Sequence, residues 1–162
     1  MNQIVENCCK MLAEKSLSVA FAESATAGRA CMEFSLCKDA GTFLKGGINC
    51  YDAVIKETLL EVPKELIDTF TPESAEASFA IAKGLTKLID ADLYVGVTGL
   101  TSPGGSETPE KPVGTMFFCG LYRNKKLFED RKVFEGNAEE IILKSVEHIA
   151  ALVVKSIEKG FL

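Results

Sequence analysis

The sequence predicts an α/β protein, a three-layer α/β/α sandwich around a mixed, largely parallel sheet that closes with a late antiparallel hairpin. Two observations carry that expectation. Helical and strand-like segments alternate through the first hundred residues, which is the rhythm of parallel crossover units. Two strand-like runs, Val113–Tyr122 and Lys126–Phe134, then follow each other around Arg123-Asn124-Lys125, the signature of a hairpin. At 162 residues the chain is expected to form one domain over residues 1–162, with a core of useful size.

Each element has a local reason. Ile4, Val5, Cys8, Cys9 and Leu12 recur at helical spacing and predict a first helix over residues 2–15. Leu17–Ala22 alternates small and large apolar side chains, as a buried strand does. Residues 25–37 then read as a helix, and Asp39-Ala40-Gly41 as a turn. Phe43–Tyr51 predicts a second strand interrupted by Gly46-Gly47. Asp52 caps a short helix carrying Lys56, Leu59 and Leu60, and another short helix starts near Pro63.

Thr71-Pro72-Glu73 has the form of a helix start, with a capping hydroxyl, proline in the first turn and an acid after it. That helix is expected to reach Asp90 with Phe79, Ala82, Leu85 and Ile89 inward. Leu93–Thr98 is a buried strand, and residues 99–112 form a loop rich in Gly, Pro, Ser and Thr. The last helix starts at Asn137, with Glu140 three residues on as a capping-box partner. Ile142, Val146, Ile149, Val153 and Ile157 make its inward stripe.

Composition narrows the function. A net charge of −5 leaves no basic footprint for nucleic acid or an anionic membrane. The six cysteines form no C-x-x-C pair, and one histidine does not complete a Cys/His zinc pattern, so no metal site is expected. The cysteines read as reduced core residues. No run is apolar enough to span a membrane and no leader pattern is present, which predicts a cytoplasmic protein.

Ser24 is the most informative residue. It stands at a strand-to-helix junction, at the carboxyl edge of a sheet where open α/β folds bind ligands. Two roles are open to it: capping the helix, or acting as a nucleophile near its N–H groups. His148, flanked by Glu147 and Ile149 in the last helix, reads as a half-exposed helix residue, so a Ser-His-Asp triad is not expected. A desolvated lysine is the other base that activates serine. Lys56 fits that description, or else pairs with Asp52 on the helix surface. The segment Thr98–Ser106 follows a strand and offers backbone amides as an anion nest.

Together these segments resemble the CinA C-terminal domain family. The motifs, in order, are Glu23-Ser24-x-Thr26-x-Gly28, Gly46-Gly47 with Tyr51 and Lys56, Thr98-Gly99, Pro103-Gly104-Gly105 and Lys111-Pro112-Val113-Gly114. They cover the chain from about residue 3 to residue 158. The family's activity is hydrolysis of nicotinamide mononucleotide to nicotinate mononucleotide and ammonia, for NAD salvage. The resemblance implies Ser24 as nucleophile, Lys56 as base and Tyr51 in their network. It places Glu23, Thr26, Gly28, Thr98, Gly99, Gly104 and Gly105 around a pyridine-nucleotide substrate. It implies no cofactor, a homo-oligomer for which the first helix is an available surface, and a stand-alone form of a domain often fused to another.

The chain departs from the family pattern at several positions. Ala25 replaces a cysteine, Ala27 and Ser102 replace glycines, and Ala138 replaces a substrate-binding arginine before the last helix. Ile141-Ile142-Leu143 stands where a second arginine is usual, and Arg29 is a substitute donor from another direction. A paralogue that binds a nucleotide-like ligand, or regulates without turnover, is the alternative. A structural interaction domain, with Ser24 a cap and Lys56 a surface ion pair, is a third.

Overall fold

A computed structural model describes residues 2–162. The elements are α1 (Gln3–Glu14), β1 (Val19–Glu23), α2 (Arg29–Ser35), α3 (Ala40–Phe43), β2 (Leu44–Asn49), α4 (Ala53–Leu60), α5 (Lys64–Phe70) and α6 (Ala75–Leu85). They continue with β3 (Leu93–Gly99), β4 (Thr115–Tyr122), β5 (Lys125–Val133) and α7 (Ala138–Glu158). The strands form one sheet in the order β2-β1-β3-β4-β5. β1 pairs in parallel with both β2 and β3, while β3–β4 and β4–β5 are antiparallel. The mixed sheet and late hairpin are as expected, with parallel and antiparallel pairings in equal number.

Alternate strand residues feed two apolar layers. Val19, Phe21, Val95, Val97 and Phe118 face α1, α2 and α7. Ala20, Ala22, Tyr94, Cys119 and Leu121 face α4, α5 and α6. Both faces are therefore covered, which explains why β1 and β3 read as continuous apolar runs. The α6 layer packs close to the sheet at Gly96, where an added Cβ would lie 2.1 Å from the Ser78 carbonyl. The hairpin turn uses two left-handed residues, Arg123 (φ 47°) and Asn124 (φ 64°), whose twist matches that of the paired strands.

Several expected boundaries move. The helix read from Ala25 starts only at Arg29, behind a left-handed Gly28 (φ 93°). Ala27 (φ 49°) is also left-handed, so residues 25–28 form a turn. The helix read from Thr71 starts at Ala75, with the Ser74 hydroxyl accepting the Ala77 N–H at 3.1 Å, and ends at Leu85. Thr71 instead closes α5 with a positive φ of 69° and an extended ψ of 159°. Phe79 is half-buried and receives Lys126 over its ring. On α7 the inward stripe uses Ile141 in place of Ile142, and the capping box at Asn137 and Glu140 forms as read.

The cysteines also need correction. Cys9 and Cys37 form a disulfide between α1 and the end of α2, with Cα atoms 6.4 Å apart. The remaining four are free, and three of them are buried.

β1 and β3 are registered at their starts by one side chain. Asp92 Oδ2 accepts the Ser18 N–H at 2.9 Å and the Ser18 hydroxyl at 2.7 Å, while Ser18 Oγ accepts the Asp92 N–H at 3.0 Å. The hydrogen bonds from Ser18 hold the Asp92 carboxyl below its ordinary value of 3.8. A depressed carboxylate stabilises the fold above the unfolded value, and that contribution is lost as pH falls through the folded one. Asp92→Asn is therefore expected to lower stability by about 1–2 kcal/mol at pH 7, the lower range for charged hydrogen bonds on a half-buried group. The gap to wild type should close as denaturation curves are taken below pH 3.8.

Candidate active site

Glu23 ends β1 and is 1% exposed, in a position where an unpaired carboxylate would be prohibitively costly. It is fully engaged. Oε2 accepts the Thr26 hydroxyl at 2.6 Å and the Ala30 N–H at 2.9 Å, and Oε1 accepts the Cys31 N–H at 2.8 Å. The carboxylate thus does the capping that sequence position offered to Ser24. Ser24 is not an N-cap: its carbonyl accepts the Ala27 N–H, and its hydroxyl makes no hydrogen bond among the described residues.

The Ser24 hydroxyl belongs instead to a polar cavity of about 290 Å³ at the carboxyl ends of the parallel strands. Ala25, Tyr51, Glu73 and the 99–105 segment complete its lining. That volume is at the small end for ligand sites. Larger cavities occur elsewhere, one of about 630 Å³ between α1 and the Cys37–Asp39 turn, lined by Glu6, Lys10, Glu14, Lys38 and Asp39 and by the bridged Cys9 and Cys37.

Lys56 is 1% exposed, so it is not the surface partner of Asp52. Asp52 Oδ1 caps α4 by accepting the Val54 N–H at 2.7 Å. Lys56 Nζ points back along the chain and donates to the carbonyls of Cys50 at 2.8 Å and Tyr51 at 3.1 Å. Cys50 in turn donates its N–H to the Glu23 carbonyl at 2.7 Å, which brings this amine beside the Ser24 segment. Burial lowers the Lys56 pKa below its ordinary 10.5, against smaller opposing effects of Cys50, Glu73 and Asp52. No hydrogen bond joins Lys56 to Ser24 in this structure.

The other expected site residues divide into two groups. Gly99, Gly104 and Gly105 line the cavity. Glu23, Thr26 and Gly28 are outside the lining and shape the turn that carries Ser24 and Ala25. Thr98 is fully buried and donates to the Pro72 carbonyl at 2.9 Å, tying β3 to the approach of α6 rather than facing the cavity. Tyr51 lines the cavity with a largely exposed ring, and only its carbonyl meets Lys56. Cys50, the neighbouring thiol, is pushed up to about 11 by burial and is a poor nucleophile.

Anion recognition is also placed differently. Arg29 is paired with Glu33 at 2.7 Å on α2, and Ala138 is an exposed residue outside the cavity lining. The expected amide nest at Gly104 is filled by the chain itself, since the Gly104 N–H donates to Glu107 Oε1 at 2.8 Å. His148 is far from this chemistry: its Nε2 lies 2.7 Å from Asp130, and its ring packs against Phe118.

Sequence reading passed over a clasp beside the cavity. Lys111 Nζ donates to the Thr71 hydroxyl at 2.8 Å, the Ser106 hydroxyl at 2.7 Å and the Glu73 carbonyl at 3.1 Å. Ser106 donates to Glu73 Oε2. The clasp fastens the glycine-rich segment to the start of α6. The sequence signal for it was Lys111 at the end of the Gly-, Pro-, Ser- and Thr-rich segment, within the Lys111-Pro112-Val113-Gly114 motif.

Residues 1–157 match the family model described as CinA C-terminal domain. A CinA-like protein of Dictyoglomus thermophilum is 32% identical over 82% of this chain, and one of Thermosipho melanesiensis is 36% identical over 79%. The chain spans about 32% of the length of these curated relatives. Its fold is similar to the crystal structure of competence/damage inducible protein CihA from Agrobacterium tumefaciens, with a TM-score of 0.88 and 24% identity over 96% of this chain and 97% of that one. A CinA superfamily protein from Enterobacter cloacae has a TM-score of 0.86 and 25% identity over 96% and 95% of the two chains. Among the described residues no helix is long and apolar enough to cross a membrane.

The two adjacent residues Glu23 and Ser24 should respond oppositely to substitution. Glu23→Gln sets an amide NH₂ against N–H or O–H donors and is expected to cost about 2–3 kcal/mol in urea denaturation. Ser24→Ala removes a hydroxyl that the fold does not use and should change stability by less than about 0.5 kcal/mol.

Proposed function

For this chain, which belongs to the CinA C-terminal domain family, we propose a carboxamide amidohydrolase in which Ser24 is the nucleophile and Lys56 its base, with nicotinamide mononucleotide or a related pyridine carboxamide as substrate. The observation that carries the reading is the valence of the buried amine. A neutral lysine keeps two N–H bonds and one lone pair. The two N–H groups match the Cys50 and Tyr51 carbonyls, and the lone pair is left for a third direction. Burial lowers the Lys56 pKa, which makes that neutral form accessible.

In the proposed reaction the Lys56 lone pair takes the Ser24 proton as Oγ attacks the carboxamide carbon. The resulting oxyanion is within the province of the Ala25 N–H, which follows the nucleophile and belongs to the cavity lining. Lys56 then returns the proton to nitrogen, the C–N bond breaks and ammonia departs, leaving an ester on Ser24. Water, deprotonated by the same amine, attacks that ester. The carboxylate product leaves and Ser24 regains its proton. The Ser24–Lys56 hydrogen bond must form during this sequence, as catalytic hydrogen bonds often tighten only with substrate in place.

Ammonia release measured with nicotinamide mononucleotide tests the reading. Ser24→Ala should abolish it, and Lys56→Arg should lower kcat/KM by about 10²–10⁴-fold, the usual loss for a missing general base, because arginine does not deprotonate. Unchanged turnover in either variant would refute the dyad. A wild-type kcat/KM profile should rise with pH through a value below 10.5, since protonated Lys56 has no lone pair and burial favours its loss of the proton. A profile with no ascending limb anywhere below pH 10.5 would exclude Lys56 as the base.

A further inference from the structure

We infer that the Cys9–Cys37 bridge is a thiol-exchange site, opened and closed by small aliphatic thiols through the cavity beside α1, and that its state sets how firmly α2 holds Glu23. The bridge is not sealed within the core. Both cysteines line the cavity of about 630 Å³ between α1 and the Cys37–Asp39 turn, a volume in the range that takes small molecules. Cys37 is the sulfur reached first, since it is 7% exposed against 1% for Cys9. Its neighbour Lys38 lines the same cavity and forms no ion pair among the described residues. Lys10, beside Cys9, is paired with Glu14 at 3.7 Å. The free ammonium of Lys38 therefore draws an attacking thiolate toward Cys37.

The exchange balances with two thiols. The thiolate of the first attacks Cys37 Sγ, the S–S bond breaks, and its electron pair leaves on Cys9 Sγ, which takes up the proton that the thiol gave. The second thiolate attacks the outer sulfur of the mixed disulfide, and Cys37 leaves as a thiolate and is protonated in turn. Two protein thiols and one small disulfide result, a two-electron reduction of the bridge by the thiol. The same steps reversed, with the small disulfide as oxidant, close it. Cys8 does not divert the exchange, because burial pushes its thiol up to about 12 and keeps it protonated.

The two helices differ in what holds them once the bridge is open. α1 has 12 residues and lays Val5, Cys8 and Leu12 into the same apolar layer as Val146, Ile149 and Val153 of α7. Asn2 donates across to Glu147 at 2.6 Å. α2 has seven residues, too few to persist without tertiary support. Gly28 brings no side chain to cap it, so its support is Ala30, Phe34 and the bridge just beyond its far end. This helix also donates the Ala30 and Cys31 N–H groups to Glu23. Freeing its far end loosens the socket of the carboxylate from which Ser24 takes its position.

The test incubates the intact, native chain with reduced glutathione and then with glutathione disulfide, quenches with iodoacetamide and locates the label by peptide mass spectrometry. The reduced buffer should label both Cys9 and Cys37, the oxidised buffer neither, and the trapped intermediate should carry glutathione on Cys37. A bridge that opens only in denaturant, equal labelling in both buffers, or an adduct on Cys9 would overturn the exchange site.

Amide hydrogen exchange followed by NMR reads the link to Glu23. Opening should speed exchange at Ala30 and Cys31 by about fivefold or more, the lower end for coupled sites, and leave Ile149 on α7 unchanged. Tm should fall by about 5–10 °C, the loss expected for a bridge that closes a loop of this size. Cys37→Ser, permanently open, should match the reduced protein and no longer respond to glutathione. Cys9→Ser makes the same comparison from the other sulfur if the first variant does not fold. Equal exchange at Ala30 and Cys31 in the open and closed states would overturn the link. No readout needs a substrate, so the outcome stands apart from the amidohydrolase reading.

Discussion

The site depends on one buried carboxylate. Glu23 sits at the carboxyl end of β1, between two parallel neighbours, where its charge must be answered by several donors or the strand cannot end there. The donors available are Thr26, Ala30 and Cys31, all downstream within eight residues. To bring them round to Glu23, the chain has to turn tightly through Ala27 and Gly28 in left-handed conformations before α2 can begin. Ser24 is carried outward by that turn. Its hydroxyl is released from capping because the carboxylate beside it has taken the work, and it lines the cavity instead. The position of the Ser24 hydroxyl is thus a consequence of satisfying a charge, not of any contact made by the serine.

A comparable constraint acts on the far side of the cavity. The amine of Lys56 is desolvated, yet it sits against two carbonyls that favour its protonated form by accepting its hydrogens. Burial is the larger effect, so the balance shifts toward the neutral amine without orphaning either carbonyl. Removing the lysine would leave both acceptors without this partner, which ties the local fold between β2 and α4 to the same atom that the proposed reaction uses. Across the opening, the Lys111 clasp fixes the glycine-rich segment through Thr71, Ser106 and Glu73. A segment with that many glycines would otherwise sample many conformations. Here it forms a wall.

The fold was largely legible because it rests on periodicity, and periodicity is local. The short apolar runs of β1 and β3, the α7 capping box and the hairpin followed from side-chain spacing alone. The errors arose where two groups competed for one role. A serine before a helical pattern reads as a cap, and nothing in the sequence ranks it against a glutamate one residue earlier that curls back from the strand end. Lys56 lies four residues after Asp52, which reads as a surface pair. Asp52 is in fact taken by the Val54 N–H, and the lysine turns inward. Thr71-Pro72-Glu73 carried every mark of a helix start, yet Ser74 caps α6 and Thr71 and Glu73 serve the clasp. The Cys9–Cys37 bridge joins residues 28 apart and depends on how α1 and α2 pack, which spacing does not encode.

Ala27 shows how strongly the turn is determined. A left-handed alanine costs about 1–2 kcal/mol relative to a conformation it prefers, and a glycine would escape that cost. The chain tolerates it because the alternatives are worse: a relaxed Ala27 would move Ala30 and Cys31 off Glu23 and strand a buried charge. Since Ala27 is exposed, its methyl group meets solvent and not the cavity. The substitution therefore changes the strain in the turn while leaving the cavity shape to Ser24, Ala25 and the wall opposite. The charge pattern behaves differently. Ala138 lies outside the lining, whose one charged side chain is Glu73, while Glu23 and Glu107 are held beside it by backbone N–H groups. Backbone geometry here tolerates variation at the exposed turn, while the acids around the cavity are each held by donors of the fold itself.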